Sequence, residues 1–118
     1  MNRTELSEYI QNSYGAKPDF PWPKYPGNEV FRHGSNRKWF AIIMDVQKSK
    51  LGLPGDDVLQ VVNFKCDPGL IGTLPGEKGF FPAYHMNKSS WITVALDGSA
   101  EDDMIKMLLD GSFAATAP

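Results

Sequence analysis

Three side chains are of the right types for covalent chemistry: Cys66 as nucleophile, His85 as its base and Asp97 as the carboxylate that orients the base. No local spacing ties them together. Alternation along the strand that ends at Cys66 turns its sulfur inward, where a thiol behaves as a small hydrophobe. A cysteine hydrolase is therefore set aside, and the chain is expected not to be an enzyme. The two histidines, His33 and His85, share no helical spacing, and no nearby acids or thiols complete a metal-ligand set. Neither GxxxxGK[ST] nor GxGxxG occurs, so no nucleotide cradle, metal or cofactor is expected. Asp67 caps the short helix that follows it and would repel an anion there.

What remains is a population of cations and indoles. From Lys24 to Lys65 there are seven basic side chains against four acidic ones, whereas from Asp97 to Asp110 five acids face only Lys106. The formal charge of −2 argues against strong, indiscriminate phosphate binding but permits a mildly positive middle. Exposed aromatics beside lysines stack on bases or sugars while the cations meet phosphates. The structural alternative is that the tryptophans are covered by a neighbouring segment and the lysines only solvate the surface.

The elements that must position these groups are legible from periodicity. With 118 residues, one domain over 1–118 is expected. The longest apolar run, Trp39 to Met44, falls well short of the ~20 residues that span a bilayer. The N-terminus lacks a signal-peptide layout and there is a single cysteine, so a cytoplasmic, reduced protein away from membranes is expected. A first helix runs from about Thr4 to Tyr14. The segment AKPDFPWPKYPGN then holds Pro18, Pro21, Pro23 and Pro26, too dense for helix or central strand, with Phe20, Trp22 and Tyr25 turned onto the body. Strands follow at Glu29 to His33, Trp39 to Val46 and Val58 to Lys65, then a short helix from Asp67 to about Leu74. A strand near Ala83 to Met86, a turn at Asn87 to Ser89 and a strand from Trp91 to Leu96 form a hairpin. Ser99 with Asp102 reads as a capping box for the last helix. The order α-β-β-β-α-β-β-α describes an α+β, two-layer sandwich: a mostly antiparallel five-stranded sheet with helices on one face.

Period-two alternation sorts the side chains. Ile92, Val94 and Leu96 point to the helices, as do Val62, Phe64 and Cys66. In the second strand Phe40, Ile42 and Met44 are assigned inward and Trp39, Ala41 and Ile43 outward. The helix-free face is then expected to expose Trp39, Asn63, Lys65, Trp91 and Thr93, with Arg32 or His33 from the first strand and Lys88 on the adjoining turn. A single β-bulge would reverse part of this sorting.

The strings VNFKCDPGL (Val62 to Leu70) and PAYHMNKSSWITVALDGS (Pro82 to Ser99) resemble the paired signatures of the MmcQ/YjbR family of small bacterial proteins. KWFAIIM and the helix ELSEYIQNSYGA fit the same pattern, so the resemblance covers nearly the whole chain. It implies an α/β sandwich like that of frataxin-like CyaY proteins, also likened to a "double wing" DNA-binding domain. The loop from Gln47 to Asp57 is longer, and the proline segment denser, than that pattern leads one to expect. The reading that follows is a non-enzymatic bacterial DNA-binding protein. Arg32, Arg37, Lys38, Lys48, Lys50, Lys65 and Lys88 would meet phosphates, Trp39 and Trp91 would stack, and Asn63, His85 and Asn87 would make polar contacts. The alternative is a protein- or small-ligand-binding module using the same Trp and His85 surface.

Overall fold

The computed structural model describes all 118 residues. Asn2 opens helix α1 (Arg3–Tyr14) with a reciprocal capping box, in which its side chain accepts from the Glu5 N–H and Glu5 accepts from the Asn2 N–H. The helix ends at Gly15, whose φ of 66° is left-handed and suits a residue without Cβ. Strands β1 (Glu29–Arg32), β2 (Trp39–Gln47) and β3 (Val58–Lys65) form an antiparallel meander. A short helix α2 (Pro68–Ile71) is capped by Asp67, which accepts from the Gly69 and Leu70 N–H groups. Strands β4 (Phe80–Pro82) and β5 (Trp91–Ala95) and helix α3 (Asp102–Thr116) complete the chain. The sheet order is β1-β2-β3-β5-β4, antiparallel throughout.

One face of this sheet meets all three helices. Phe31, Phe40, Val62, Phe64, Ile92 and Val94 interleave there with Leu6 and Ile10 of α1, Leu70 and Ile71 of α2, and Ile105, Leu108 and Leu109 of α3. The expected inward sets on β3 and β5 are found as read.

The second face is not bare, which corrects the expectation drawn from alternation. Val30, Ile42, Met44, Val46, Leu59, Val61 and Ala95 form a second core there. It is covered by Trp22 of the proline segment, by Leu51 and Leu53 of the long loop, and by Tyr84 and Met86. The segment is fastened to the edge strand by mutual backbone hydrogen bonds between Asp19 and Val30. Phe20 and Tyr25 stay exposed, so only Trp22 of its three aromatics packs as expected.

A β-bulge explains the misassigned residues of β2. Phe31 pairs with Ala41 but Arg32 pairs with Trp39, so Phe40 is the extra residue. Phe40 and Ala41 both turn toward the helices, and from there the alternation is reversed. Ile43 lies with the helices, and Ile42 and Met44 lie on the second face beside Trp39. At the bulge the β2–β3 pairing stops with Ala41 and Phe64. One step beyond, the buried Ser112 of α3 takes over: its Oγ donates to the Phe40 carbonyl (2.6 Å) and accepts from the Lys65 N–H (2.9 Å).

Three smaller differences have local causes. β4 lies at Phe80–Pro82, upstream of the predicted Ala83 to Met86, because His85 takes a left-handed φ of 57° that a strand excludes. Ser99 does not cap α3; its N–H and Oγ both bond Asp97, closing the turn after β5. The long loop folds as a single 3-10 turn, Lys48–Leu51. No helix is long and apolar enough to cross a membrane.

Ser112→Ala should leave the Phe40 carbonyl and the Lys65 N–H unpaired. A loss of about 1–3 kcal/mol is expected from urea denaturation, and an unchanged midpoint would contradict the bridging role.

Candidate nucleic-acid interface

The β1–β2 turn delivers the first cations. His33 is buried rather than displayed: its Nε2 lies 2.8 Å from Thr116 Oγ1, and its ring packs 4.2 Å from Phe113, centroid to centroid. Asn36 donates to the Thr116 carbonyl (2.9 Å) and accepts from the Lys38 N–H (3.0 Å). The turn is thereby clamped to the end of α3, and Arg37 is held at a φ of 62°, a conformation that disfavours any residue with a Cβ.

Beside this turn, Arg37, Lys38, Trp39, Lys65, Trp91 and Thr116 line a shallow recess of about 340 Å³. Arg37, Lys38 and Lys65 form no ion pair. Lys65 and Trp91 are paired residues at the ends of β3 and β5, while Trp39 opens β2. Five of the anticipated residues therefore converge.

A second concavity adjoins the first, with Trp39 as a wall of both. It is a cleft of about 550 Å³ whose floor is Ile42 and Met44. Trp22 meets Trp39 edge to face, with centroids 5.6 Å apart and planes at 88°, and Tyr84 and Met86 are further walls. Asn28, Lys50 and His85 supply polar groups, and the acidic Asp45 is held by Arg3 at 3.1 Å. The His85 ring stands edge-on to Tyr84 at 4.1 Å.

The remaining anticipated contact residues are engaged elsewhere. Asn63 and Thr93 are fully buried: Thr93 Oγ1 donates to Asn63 Oδ1 and accepts from the Tyr84 N–H, while Asn63 Nδ2 donates to the Tyr84 carbonyl (3.0 Å). Arg32 is bound to Asp19 (3.0 Å), its guanidinium 5.4 Å from the Trp39 ring. Asn87 accepts from the Ser89 N–H and Oγ, and Lys88 donates to the Ala83 carbonyl at 2.9 Å. Lys48 follows β2 at the end away from Trp39, roughly 30 Å along the strand. Asp97 there lies below its ordinary value: burial would raise that carboxyl, but hydrogen bonds from Ser99 outweigh it, with a smaller lowering from the Lys48 charge.

Cys66 lies on the helix side, buried, and its N–H donates to the Ser90 carbonyl. Burial, then the neighbouring Asp67 charge, push its thiol up, against a smaller lowering by the Asp67 backbone. His85 lies across the sheet on the cleft. Alternation could not have found the cleft, because its floor follows from the bulge. Its one sequence signal was the aromatic content of the proline segment and of PAYHM.

The chain as a whole is similar to known proteins. Residues 11–115 match the model of the YjbR family. The Bacillus subtilis protein YyaQ, described as uncharacterised, is 36% identical over 116 residues, 98% of each chain. A Pseudomonas syringae protein of known crystal structure is 44% identical and superposes with a TM-score of 0.96 over 99% of this chain and 100% of its own. The Deinococcus radiodurans protein DR2400 shares the fold at 23% identity, with a TM-score of 0.72 over 97% of this chain and 77% of its own.

Two measurements check this geometry. Asn63→Ala should cost about 1–3 kcal/mol in chemical denaturation, because it strands the Tyr84 carbonyl and the Thr93 hydroxyl. Cys66 in the native chain should resist alkylation at neutral pH and react readily once unfolded; rapid native labelling would contradict its buried, protonated state.

Proposed function

The chain belongs to the YjbR family, and from that premise we propose that it is a non-enzymatic DNA-binding protein that holds the phosphate backbone at the Trp39–Trp91 end of its sheet. The observation that supports this is the convergence of three unpaired cations, Arg37, Lys38 and Lys65, with two indoles on one recess. Cations flanked by aromatic faces suit a polyanion whose bases or sugars stack while its phosphates are neutralised.

The charge distribution agrees. The acids Glu101, Asp102 and Asp103 lie at the start of α3, whereas the recess touches Thr116 at its other end, roughly 20 Å away along the helix. An approaching phosphate therefore meets local positive charge although the net charge is −2. A thiol kept protonated and buried also fits a chain that does no nucleophilic chemistry.

With about three phosphates neutralised, affinity is expected on the order of micromolar or weaker, with a log–log salt slope of about −2 to −3. Arg37→Gly separates binding from folding. It relieves a left-handed backbone, so stability should hold or rise by about 1 kcal/mol, while the salt slope shrinks by about 1. A fluorescence titration of DNA at several salt concentrations checks both; binding that ignores salt, or no binding, removes the proposal.

A further inference from the structure

The recess accounts for phosphate contact but leaves the adjoining cleft unused. We infer that the cleft seats one unstacked base of a single-stranded nucleic acid, whose phosphates lie on Arg37, Lys38 and Lys65 across the shared wall of Trp39. This rests on the proposed nucleic-acid reading and goes further, naming the strand state and the site of the base.

Shape comes first. At about 550 Å³ the cleft falls within the ~300–1,000 Å³ typical of small-ligand sites. Its floor, Ile42 and Met44, is apolar sheet, and Trp22, Trp39 and Tyr84 offer aromatic surface to a flat ring. A base has two apolar faces and a polar edge. The faces match floor and walls, and the edge would meet Asn28, Lys50 and His85.

Charge then narrows the class. The acid at the cleft, Asp45, shares the Arg3 guanidinium with Glu29. Lys50 stands at the cleft and the unpaired cationic trio lies beyond the Trp39 indole, whereas Arg32 beside that ring is paired with Asp19. An organic cation, the usual guest of an aromatic cage, would be repelled here. An aromatic ring carrying an anion is favoured, and a nucleotide unit has that constitution.

The cleft is also pre-shaped. Tyr84 is pinned through both its backbone groups by Asn63 and Thr93, and Trp22 follows the Asp19–Val30 bridge. His85 sits at a φ of 57°, a strained conformation of the kind that gathers at binding sites. A duplex keeps its bases stacked between the strands, so only an unpaired or extruded base can enter.

The chain's three tryptophans, Trp22, Trp39 and Trp91, all pack on this face, so intrinsic fluorescence reports binding directly. The full chain is titrated at low salt with an oligothymidylate of about twelve nucleotides, with a duplex of equal length and with free thymidine monophosphate. The single strand should bind about tenfold or more tighter than either competitor. Trp22→Ala, with its fold checked by circular dichroism, should weaken the single strand by about fivefold to a hundredfold and leave the duplex unchanged. In the unaltered chain, photo-crosslinking from 5-iodouracil should map to Trp22 or Tyr84, which line the cleft and not the recess. Equal affinity for single strand and duplex, or crosslinks confined to the recess, overturns the inference while the phosphate-binding reading stands. A mononucleotide that binds as tightly as the oligomer makes the cleft a small-ligand site and also overturns it. Failure of both strands to bind removes the two proposals together.

Discussion

Two polar side chains in the middle of an otherwise apolar sheet face govern the whole second layer. Asn63 and Thr93 are cross-strand partners on β3 and β5, completely buried, and hydrogen-bonded to each other. A buried amide left half-satisfied would be expensive, so something polar must come to it. The Tyr84 backbone does, giving its N–H to Thr93 and its carbonyl to Asn63. The chain between β4 and β5 is thereby drawn across the sheet instead of projecting as a free hairpin tip. That requirement explains why the segment between β4 and β5 lies over the face opposite the helices and why Tyr84 and Met86 wall a cleft.

The other end of the same face is set by the bulge. An extra residue at Phe40 turns two consecutive side chains to the helices and ends the β2–β3 ladder early. α3 supplies the missing hydrogen-bond partners through Ser112 and fastens the β1–β2 turn through Thr116. Where regular pairing stops, the side chains of Trp39, Lys65 and Trp91 surround a recess instead of a continuous sheet surface. Helix α3 thus does more than cover the first core: hydroxyls on its inner side hold open the basic end of the second.

Much of the architecture was legible because it obeys short-range rules. Alternation in β3 and β5 assigned their helix-facing sides, and Asp67 followed by Pro68 marked a helix start. The unread part depended on one inserted residue. No pattern in WFAIIMDV announces a bulge, since both faces of β2 are apolar, and a one-residue slip exchanged the fates of Ala41, Ile42, Ile43 and Met44. Alternation also reports which side a residue faces and not whether that side is covered. Asn63 was placed on the correct face yet lies at its buried centre. The most specific string, from Tyr84 to Gly98, contains chiefly turn chemistry: Asn87 ties Ser89, Lys88 ties Ala83 and Asp97 ties Ser99. Asn87, Lys88 and Asp97 thus shape the loops, while Tyr84, His85, Met86 and Trp91 of the same string line the cleft and the recess.

These two devices bear on how a chain of net charge −2 would hold the proposed anionic ligand. Counterion release from three cations gives only weak attachment, and Lys48, at the far end of β2, adds nothing to a ligand seated near Trp39. Any further affinity must come from contacts that are not screened by salt, which means aromatic surface removed from water. The fold supplies that surface immediately beside the cations, on the other side of one indole. A buried Asn–Thr pair fixes one wall, an inserted residue in β2 fixes the floor, and Trp39 joins the apolar cleft to the charged recess. The arrangement therefore favours a ligand with a flat apolar part and a phosphate a short distance apart over one recognised by charge alone.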